Sequence, residues 1–580
     1  METKPVKRLP YGNSNFESIM TENYAYVDKT RFVEQLENEA NKYQFFIRPR
    51  KFGKSLFFSL LEHYYDLNRT ANFEKLFGGL YIGKHPTLKK NAYAVLKFDF
   101  SGIDTSGEDR FRASFSGKIQ KAVRQFVALY RNLFPNADSF IQRLTEGSPS
   151  IQSIQEAIDM AELADVKIFV IIDEYDHFAN DLIAMGTQLG TDVYHNMVHA
   201  NGLVRDFYEA LKTGTKTAID RIFITGISPV MLDDLTSGFN IAVNLTLKPK
   251  YNEMMGFTQQ EVDALMDETG VDPNLINVDM EAYYDGYLFH PDGKNRVYNP
   301  SMILYFFYQI LDEGRPPENI IDDNLKTDYN RLRRMVQNEE NRNKLMEIVQ
   351  NNGIVSDVIS KFSIDRLEDT KYFISLLFYM GLLTVDKYQD DTLILKIPNY
   401  SIRTVYWEYL EQLTLDWNED VVIDVRAQSA AVRELAHHGN LHPYIEYVSR
   451  NILNRLSNRD LQQFNEKYIK IMLLNGLFQS KLYVPLTEKE VENGYIDIFL
   501  QRSPRLPNIK YEWVWELKYL KKGDRKALHS ARHDARAQLE KYRKSREFAG
   551  RADVRFASII FIGKDKFEIE EDKNNNKMLL

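Results

Sequence analysis

The sequence contains no cysteine, which excludes a disulfide framework, a thiolate zinc site and a cysteine nucleophile. It has no apolar run near the length of a membrane-crossing helix, and Met1-Glu2-Thr3-Lys4-Pro5 lacks the apolar core of a secretory leader. A cytoplasmic protein without a membrane partner is expected. Positive charge is also in deficit: 74 Lys and Arg against 82 Asp and Glu give a net charge of -8, which argues against a nucleic-acid coat protein but leaves room for a basic patch in one domain. What the chain has is length and apolar content. With 580 residues, 44% of them hydrophobic, it can bury several cores, and roughly three or four domains are expected.

The stretch Lys167-Ile168-Phe169-Val170-Ile171-Ile172-Asp173-Glu174-Tyr175-Asp176 is an apolar run ending in carboxylates. Consecutive branched and aromatic residues suit a parallel strand covered by helices on both faces. The acids then fall at its carboxyl end, where open α/β sheets hold ligands. In a nucleotide-hydrolysing domain Asp173 would order Mg²⁺, and Glu174 would orient and deprotonate the attacking water. Taken alone, the same pattern is equally a strand ending in solvated turn acids.

A second motif changes that balance. Tyr43 to Ile47 reads as a short strand, Arg48-Pro49-Arg50-Lys51-Phe52-Gly53-Lys54-Ser55 as a loop, and Leu56 to Asp66 as an apolar helix. This is the context of a phosphate-binding loop, in which backbone amides at a helix N-terminus hold phosphates, Lys54 bridges the β and γ groups and Ser55 ligates Mg²⁺. The usual first glycine is absent, Arg48 standing in its place, so the loop must follow another path, stiffened by Pro49.

Tyr93 to Phe100 supplies a strand between the two motifs, as in the ATPase branch that carries its own catalytic glutamate, and Arg221 to Ser228 another. The hydroxyl of Thr225 at the latter's end suits a γ-phosphate sensor or a water-positioning group; a plain strand-terminating threonine fits nearly as well. Arg205, on a helix from Gly202 to Lys212, has the chemistry of an arginine finger for a neighbouring subunit of a homo-oligomer. A solvated helix arginine is the simpler reading.

Leu9-Pro10-Tyr11-Gly12, Tyr26-Val27-Asp28-Lys29-Thr30, the Arg48 to Ser55 loop, Asp173-Glu174-Tyr175-Asp176, Thr225-Gly226-Ile227-Ser228 and Val297-Tyr298-Asn299-Pro300 together resemble the AAA-ATPase-like proteins of bacteria that end in a PD-(D/E)XK nuclease domain. In that family the Arg-Pro-Arg-Arg/Lys-Phe-Gly-Lys loop is itself the usual form. The resemblance implies an α/β multidomain fold: a P-loop AAA-like ATPase domain with a parallel sheet (residues 1–250), a helical lid (251–320), a winged-helix-like segment (321–400), a helical linker (401–455) and an α/β nuclease-like domain (456–580). It makes Arg48, Pro49, Arg50, Lys51, Phe52, Gly53, Lys54, Ser55, Asp173 and Thr225 the nucleotide-binding set.

Phe257 to Met266 and Ala282 to Ile310 read as helical and aromatic, with Arg296 as a lid-surface arginine, and Pro316-Pro317 marks a joint. Val355 to Phe362 and Asp369 to Leu383 read as two helices followed by a hairpin ending at Pro398, the winged-helix order. The longer helix is poor in Lys and Arg, which favours packing over DNA-groove reading. His437, His438 and His442 are close in sequence but their spacing fits no closed metal site.

At the C-terminal end, Phe464 to Leu474 reads as a helix, and Glu492 to Leu500 and Trp513 to Tyr519 as strands. Strand alternation places Glu516 and Lys518 on one face, beside Asp497. Asp497 and Glu516 would ligate Mg²⁺ or Mn²⁺, with Lys518 stabilising the transition state of phosphodiester cleavage. The bland alternative is a cross-strand ion pair. The order of elements resembles the PD-(D/E)XK fold, which brings in Glu466 from the preceding helix and Gln538 from the helix carrying the seam Leu528, Ala531, Ala535, Leu539 and Tyr542. Between Arg502 and Arg555 there are 16 Lys and Arg against 7 Asp and Glu, favouring a phosphate-backbone surface there. Glu568 to Lys577 is expected to fray.

These readings combine into an ATP-hydrolysing protein coupled to a metal-dependent nuclease acting on DNA, with RNA the lesser alternative. The competing function is an ATP-controlled regulatory switch whose C-terminal domain binds nucleic acid or protein without cutting. A metabolic P-loop kinase would leave the C-terminal domain without a role.

Overall fold

The computed structural model describes residues 6–571 apart from 186–187, 200–201, 237–238, 277, 318, 320, 323–338, 418–423, 456–465, 493, 504–505, 507, 522–524 and 564–565. Contacts divide the chain into two compact units, Met1–Ile348 with Gly353–Ile402, and Val349–Asn352 with Arg403–Leu580. Among the described residues no helix is long and apolar enough to cross a membrane.

The first unit is built on a five-stranded sheet of β1 (Tyr43–Ile47), β2 (Ala94–Asp99), β3 (Ile168–Asp173), β4 (Ile219–Gly226) and β5 (Val243–Asn244), ordered β2-β3-β4-β1-β5. Every pairing is parallel. All six residues of β3 are buried, as its unbroken apolar run requires. The strand between the phosphate loop and the acidic strand is β4, not the Tyr93 to Phe100 strand: β2 lies on the outer side of β3. Parallel strands need crossover helices, so order along the chain does not give order in the sheet.

The segment after the sheet is less helical than its composition suggests. Helices span Gln259–Thr269, Met280–Tyr284 and Pro300–Glu313. The first is closed by a capping box between Thr258 and Glu261. Between the last two, Tyr287 bridges to Val297 and Phe257 to Tyr298, all antiparallel, with Gly286 at φ +105° opening the turn. Arg296 is half-buried there. Its guanidinium donates to the carbonyls of Gly286 and Val385 at 2.8 and 3.0 Å.

β6 (Gly353–Val355), β7 (Thr384–Gln389) and β8 (Thr392–Lys396) form a separate antiparallel sheet in the order β6-β8-β7. Val355 thus closes a strand, and the expected helix from Val355 to Phe362 is absent because Gly353, Ile354 and Val355 pair with Lys396, Leu395 and Ile394. The Thr370–Tyr379 helix is buried from Phe373 to Tyr379, so its apolar residues serve packing, as expected.

The second unit holds a mixed sheet of β9 (Tyr483–Val491), β10 (Gly494–Arg502), β11 (Glu512–Leu520), β12 (Val554–Ile562) and β13 (Lys566–Glu571), ordered β13-β12-β11-β10-β9. Only β11 and β12 are parallel, joined by the Arg525–Arg543 helix. That helix buries Ala531, Ala535, Leu539 and Tyr542. The seam read from sequence therefore faces the core. Glu568–Glu571, expected to fray, belongs to β13 and pairs with β12; residues 572–577 lie outside the described residues, as do Phe464 and Asn465 of the preceding helix.

Candidate functional site

The phosphate-loop candidate joins β1 to the Lys54–Tyr65 helix. Its backbone turns through two left-handed residues, Lys51 at φ +64° and Gly53 at φ +92°, so the tight path usually enabled by an early glycine is made later in the loop. Arg48 explains the rest. Its guanidinium is 1% exposed, donates to the carbonyls of Ile47, Thr246 and Tyr251 at 2.9 to 3.0 Å, and stacks on Phe46 and Phe289. Its buried side chain anchors the loop through these three carbonyls. The carbonyls of Arg50 and Lys51 accept from Asn299 and Ser301, so the Val297 to Pro300 motif grips the loop from behind.

Lys54 donates to the carbonyls of Arg48 and Pro49 at 3.0 and 2.8 Å. Burial pulls its ammonium down to about 8, against the opposing pull of Asp173, Asp176 and Glu174. Asp173 is pushed up to about 6 by burial, with Lys54 and a Ser55 hydrogen bond acting against the shift and Glu174 adding to it. Glu174 stands at φ +51° and lines a cavity of about 440 Å³ together with Arg50, Lys51, Phe52, Gly53, Lys54 and Ser55. The cavity wall also includes the apolar Ile19, Val27, Met254, Met255 and Leu265, beside the polar Asn13, Ser14 and Lys29. Sequence reading missed this wall, since its members come from segments more than 200 residues apart.

Thr225 does not face the cavity with a free proton. Its hydroxyl is fully buried and donates to the Phe46 carbonyl at 2.8 Å, tying β4 to β1; the sensor expectation is corrected to a strand tie. Asp176, which sequence reading gave no role, accepts from the amides of Ile227 and Ser228, the Ser228 hydroxyl and Asn180. Gly226 is required beside it, because a Cβ there would sit 2.3 Å from Asp176 Oδ1. Arg205 pairs with Glu209 one turn on, as a solvated helix arginine does.

In the second unit, Asp497 on β10 and Glu516 and Lys518 on β11 converge with Glu466, the first residue of the Glu466–Ser480 helix. Lys518 Nζ donates to Glu516 Oε1 at 2.8 Å. Asp497 accepts the Leu517 amide at 2.9 Å, and Glu466 accepts that of Tyr519 at 3.2 Å. Glu516 is pushed up to about 7 by burial and by the Asp497 charge, with Lys518 opposing. Glu466 is raised by burial and by Asp497 against the pull of Lys518. Burial alone would lower Lys518, but the Glu516 hydrogen bond and the surrounding carboxylates outweigh it and hold its ammonium above the usual range. Three neighbouring groups displaced from their ordinary protonation by burial and by one another form the kind of cluster found at functional sites, and structural ion-pair networks produce it too. Carboxylate oxygens are the donor type that Mg²⁺ and Mn²⁺ take, and among the described residues no group of three or more acids or histidines is placed to hold a metal ion.

Two further groups complete the cluster. Lys470 Nζ lies 3.7 Å from Asp497 Oδ1, and the Tyr542 hydroxyl lies 3.4 Å from Glu516 Oε2. Tyr542 is the residue of its helix that meets Glu516; Gln538, one turn earlier and half-buried, makes no hydrogen bond with Asp497, Glu516 or Lys518 among the described residues. The basic excess is partly neutralised, since Arg532 pairs with Glu568 and Arg536 with Glu570 across to β13. His438 and His442 pair with Glu434 and Glu446, and among the described residues no metal cluster includes them.

Comparison with known proteins agrees with this division. Residues 10–236 match the family described as predicted AAA-ATPase, and residues 464–571 match the PD-(D/E)XK nuclease superfamily. An uncharacterised protein in the vnfD 5′ region of Azotobacter chroococcum mcd 1 is 28% identical over 306 residues, covering 52% of each chain; the chain thus spans about half the length of that relative. The Walker-type ATPase PABY2304 of Pyrococcus abyssi is 16% identical with a TM-score of 0.34, the match covering 65% of this chain and 94% of that one. The ORC2 protein of Aeropyrum pernix, in ADPNP-ADP complexes, is 12% identical with a TM-score of 0.30, covering 68% and 98%. On the two family-model matches, residues 10–236 resemble the predicted AAA-ATPase family and residues 464–571 the PD-(D/E)XK nuclease superfamily.

Proposed function

We propose that the first unit binds and hydrolyses ATP and that the C-terminal domain cleaves a phosphodiester backbone, DNA in the first place. The observation that carries the reading is the cavity lined by Arg50 to Ser55 of the loop and by Glu174, together with apolar side chains, a mix that suits a triphosphate joined to a base. Ser55 and Asp173 would hold Mg²⁺, which when bound offsets phosphate charge. Lys54 exchanges its two carbonyl partners for the β and γ oxygens, and the amides of the loop hold the phosphates at the helix N-terminus. Glu174 takes the proton of the attacking water. At the second site, Asp497 and Glu516 would hold Mg²⁺ or Mn²⁺, which when bound acidifies water. Lys518 stabilises charge on the phosphodiester, and Lys470 adds a second cation to the same cleft.

The test measures ATP affinity, ATP turnover and plasmid cleavage on the same preparations, with Mg²⁺ or Mn²⁺. Lys54→Ala loses ATP affinity, whereas Glu174→Gln keeps affinity and loses turnover. Asp497→Ala, Glu516→Ala and Lys518→Ala lose cleavage and keep ATPase activity. Equal ATP affinity for wild type and Lys54→Ala would reject the phosphate-loop assignment, and full cleavage by Asp497→Ala would reject the metal-site assignment. The pairing of Arg532 and Arg536 with β13 glutamates leaves fewer cations for a phosphate backbone and favours a second reading, an ATP-controlled switch whose C-terminal domain binds a protein partner without cutting. Absence of cleavage by wild type under every metal and nucleotide condition selects it.

A further inference from the structure

Glu174 sits on a sharp turn between β3 and the His177–Met185 helix, in a left-handed backbone conformation that an acidic side chain seldom adopts. Its carboxylate is one-third exposed, so the turn alone leaves the side chain free to rotate. His177 opens the following helix. Its Nε2 lies 3.6 Å from Glu174 Oε2, and its Nδ1 lies 3.1 Å from Asp181 Oδ2 one helical turn on. The three side chains are thus strung by charge, at ion-pair distances and without hydrogen-bond geometry at Nδ1, from Asp181 through the imidazole to the carboxylate lining the cavity. A protonated imidazole drawn toward a carboxylate on each side is biased toward one orientation.

We propose that His177 is the positioning residue for Glu174, with Asp181 fixing the imidazole so that its Nε2 side aims the Glu174 carboxylate at the attacking water. The proposal rests on the ATP-hydrolysis reading given above. His177 touches neither phosphate nor water, so its contribution is to orientation, and orientation errors at a reacting group lower turnover without lowering affinity. Burial and the Asp181 contact act in opposite senses on the ring, and the Asp181 contact prevails, raising the imidazole's proton affinity; Glu174 adds to that and Arg50 of the loop opposes it.

The experiment compares wild type, His177→Ala, His177→Gln and Asp181→Asn in the full chain, recording kcat and KM for ATP and the affinity for a fluorescent ATP analogue. His177→Ala is expected to lose about tenfold to a hundredfold in kcat, with KM and analogue affinity within about twofold of wild type. His177→Gln, whose amide can place a donor near the Nε2 position, recovers part of the loss, and Asp181→Asn falls between. Unchanged kcat in His177→Ala beside an active wild type overturns the proposal and leaves ATP hydrolysis standing. Parallel loss of affinity and kcat with no recovery by Gln assigns His177 a structural role and also overturns it. A wild type that binds but never turns over ATP sinks the hydrolysis reading and this proposal together.

Discussion

Single residues in both units are held away from their ordinary protonation, and the direction of each shift gives a test. Lys54, lowered by burial to about 8, is half neutral near that pH when no nucleotide is bound, and phosphate oxygens would restore its charge. Binding of a non-hydrolysable ATP analogue should therefore take up roughly half a proton at pH 8, more at pH 9 and almost none at pH 6. Titration calorimetry in buffers of different ionisation enthalpy reads this uptake directly. An uptake that stays flat from pH 6 to 9 would place the phosphates away from Lys54. Glu516 shifts the opposite way, up to about 7. Since its folded value lies above the unfolded one, its neutral form favours the fold; that contribution is complete below about 4.5 and is lost as pH rises through 7. A cation needs the ionised form. Mn²⁺ affinity should accordingly climb between pH 6 and 8, and Glu516→Gln should flatten that climb.

At the scale of elements, the tie between the β3 turn and the end of β4 is the contact to break. Asp176 is fully buried and satisfies two amides, a hydroxyl and an amide side chain, so Asp176→Ala leaves several buried donors without a partner. A loss of about 3 kcal/mol is expected in urea unfolding. Arg205→Ala, which removes only an exposed pair one turn apart, should cost less than about 0.5 kcal/mol. Similar losses for the two would mean that Asp176 is not the latch. The contrast also shows what sequence could reveal. β1, β3, β11 and the loop from Arg48 to Ser55 were legible because apolar runs and dense motifs lie within ten residues of one another. The carboxylates of Asp173, Asp497 and Glu516 sit at strand positions, and that of Glu174 on the turn after β3, which alternation and motif order can place. The position of β4 between β1 and β3, the bridge between Tyr287 and Val297, and the apolar cavity wall depend on contacts between distant segments, which leave no local periodicity. Arg48 and Thr225 look like ligand groups by type; only the carbonyls placed beside them by folding turn them into struts.

At the scale of the whole molecule, the two candidate sites fall in different compact units, and ligand linkage can test whether those units are also thermodynamic ones. A ligand that binds only the folded form stabilises the unit containing its site, by about 2.7 kcal/mol at a concentration one hundred times Kd. Differential scanning calorimetry of the full chain should therefore resolve two transitions, since chains of this size seldom unfold in a single step. The non-hydrolysable ATP analogue with Mg²⁺ should move one of them upward by several degrees, and Lys54→Ala should abolish that movement while leaving the other transition in place. Mn²⁺ alone should move the second, and Asp497→Ala should cancel it without affecting the response to nucleotide. A nucleotide that raises both transitions equally, with both responses lost in Lys54→Ala, would show the fold to be one cooperative body. In that case the ATP site would stabilise the nuclease-like sheet directly, and Asp497→Ala would be expected to alter nucleotide affinity as well as cleavage.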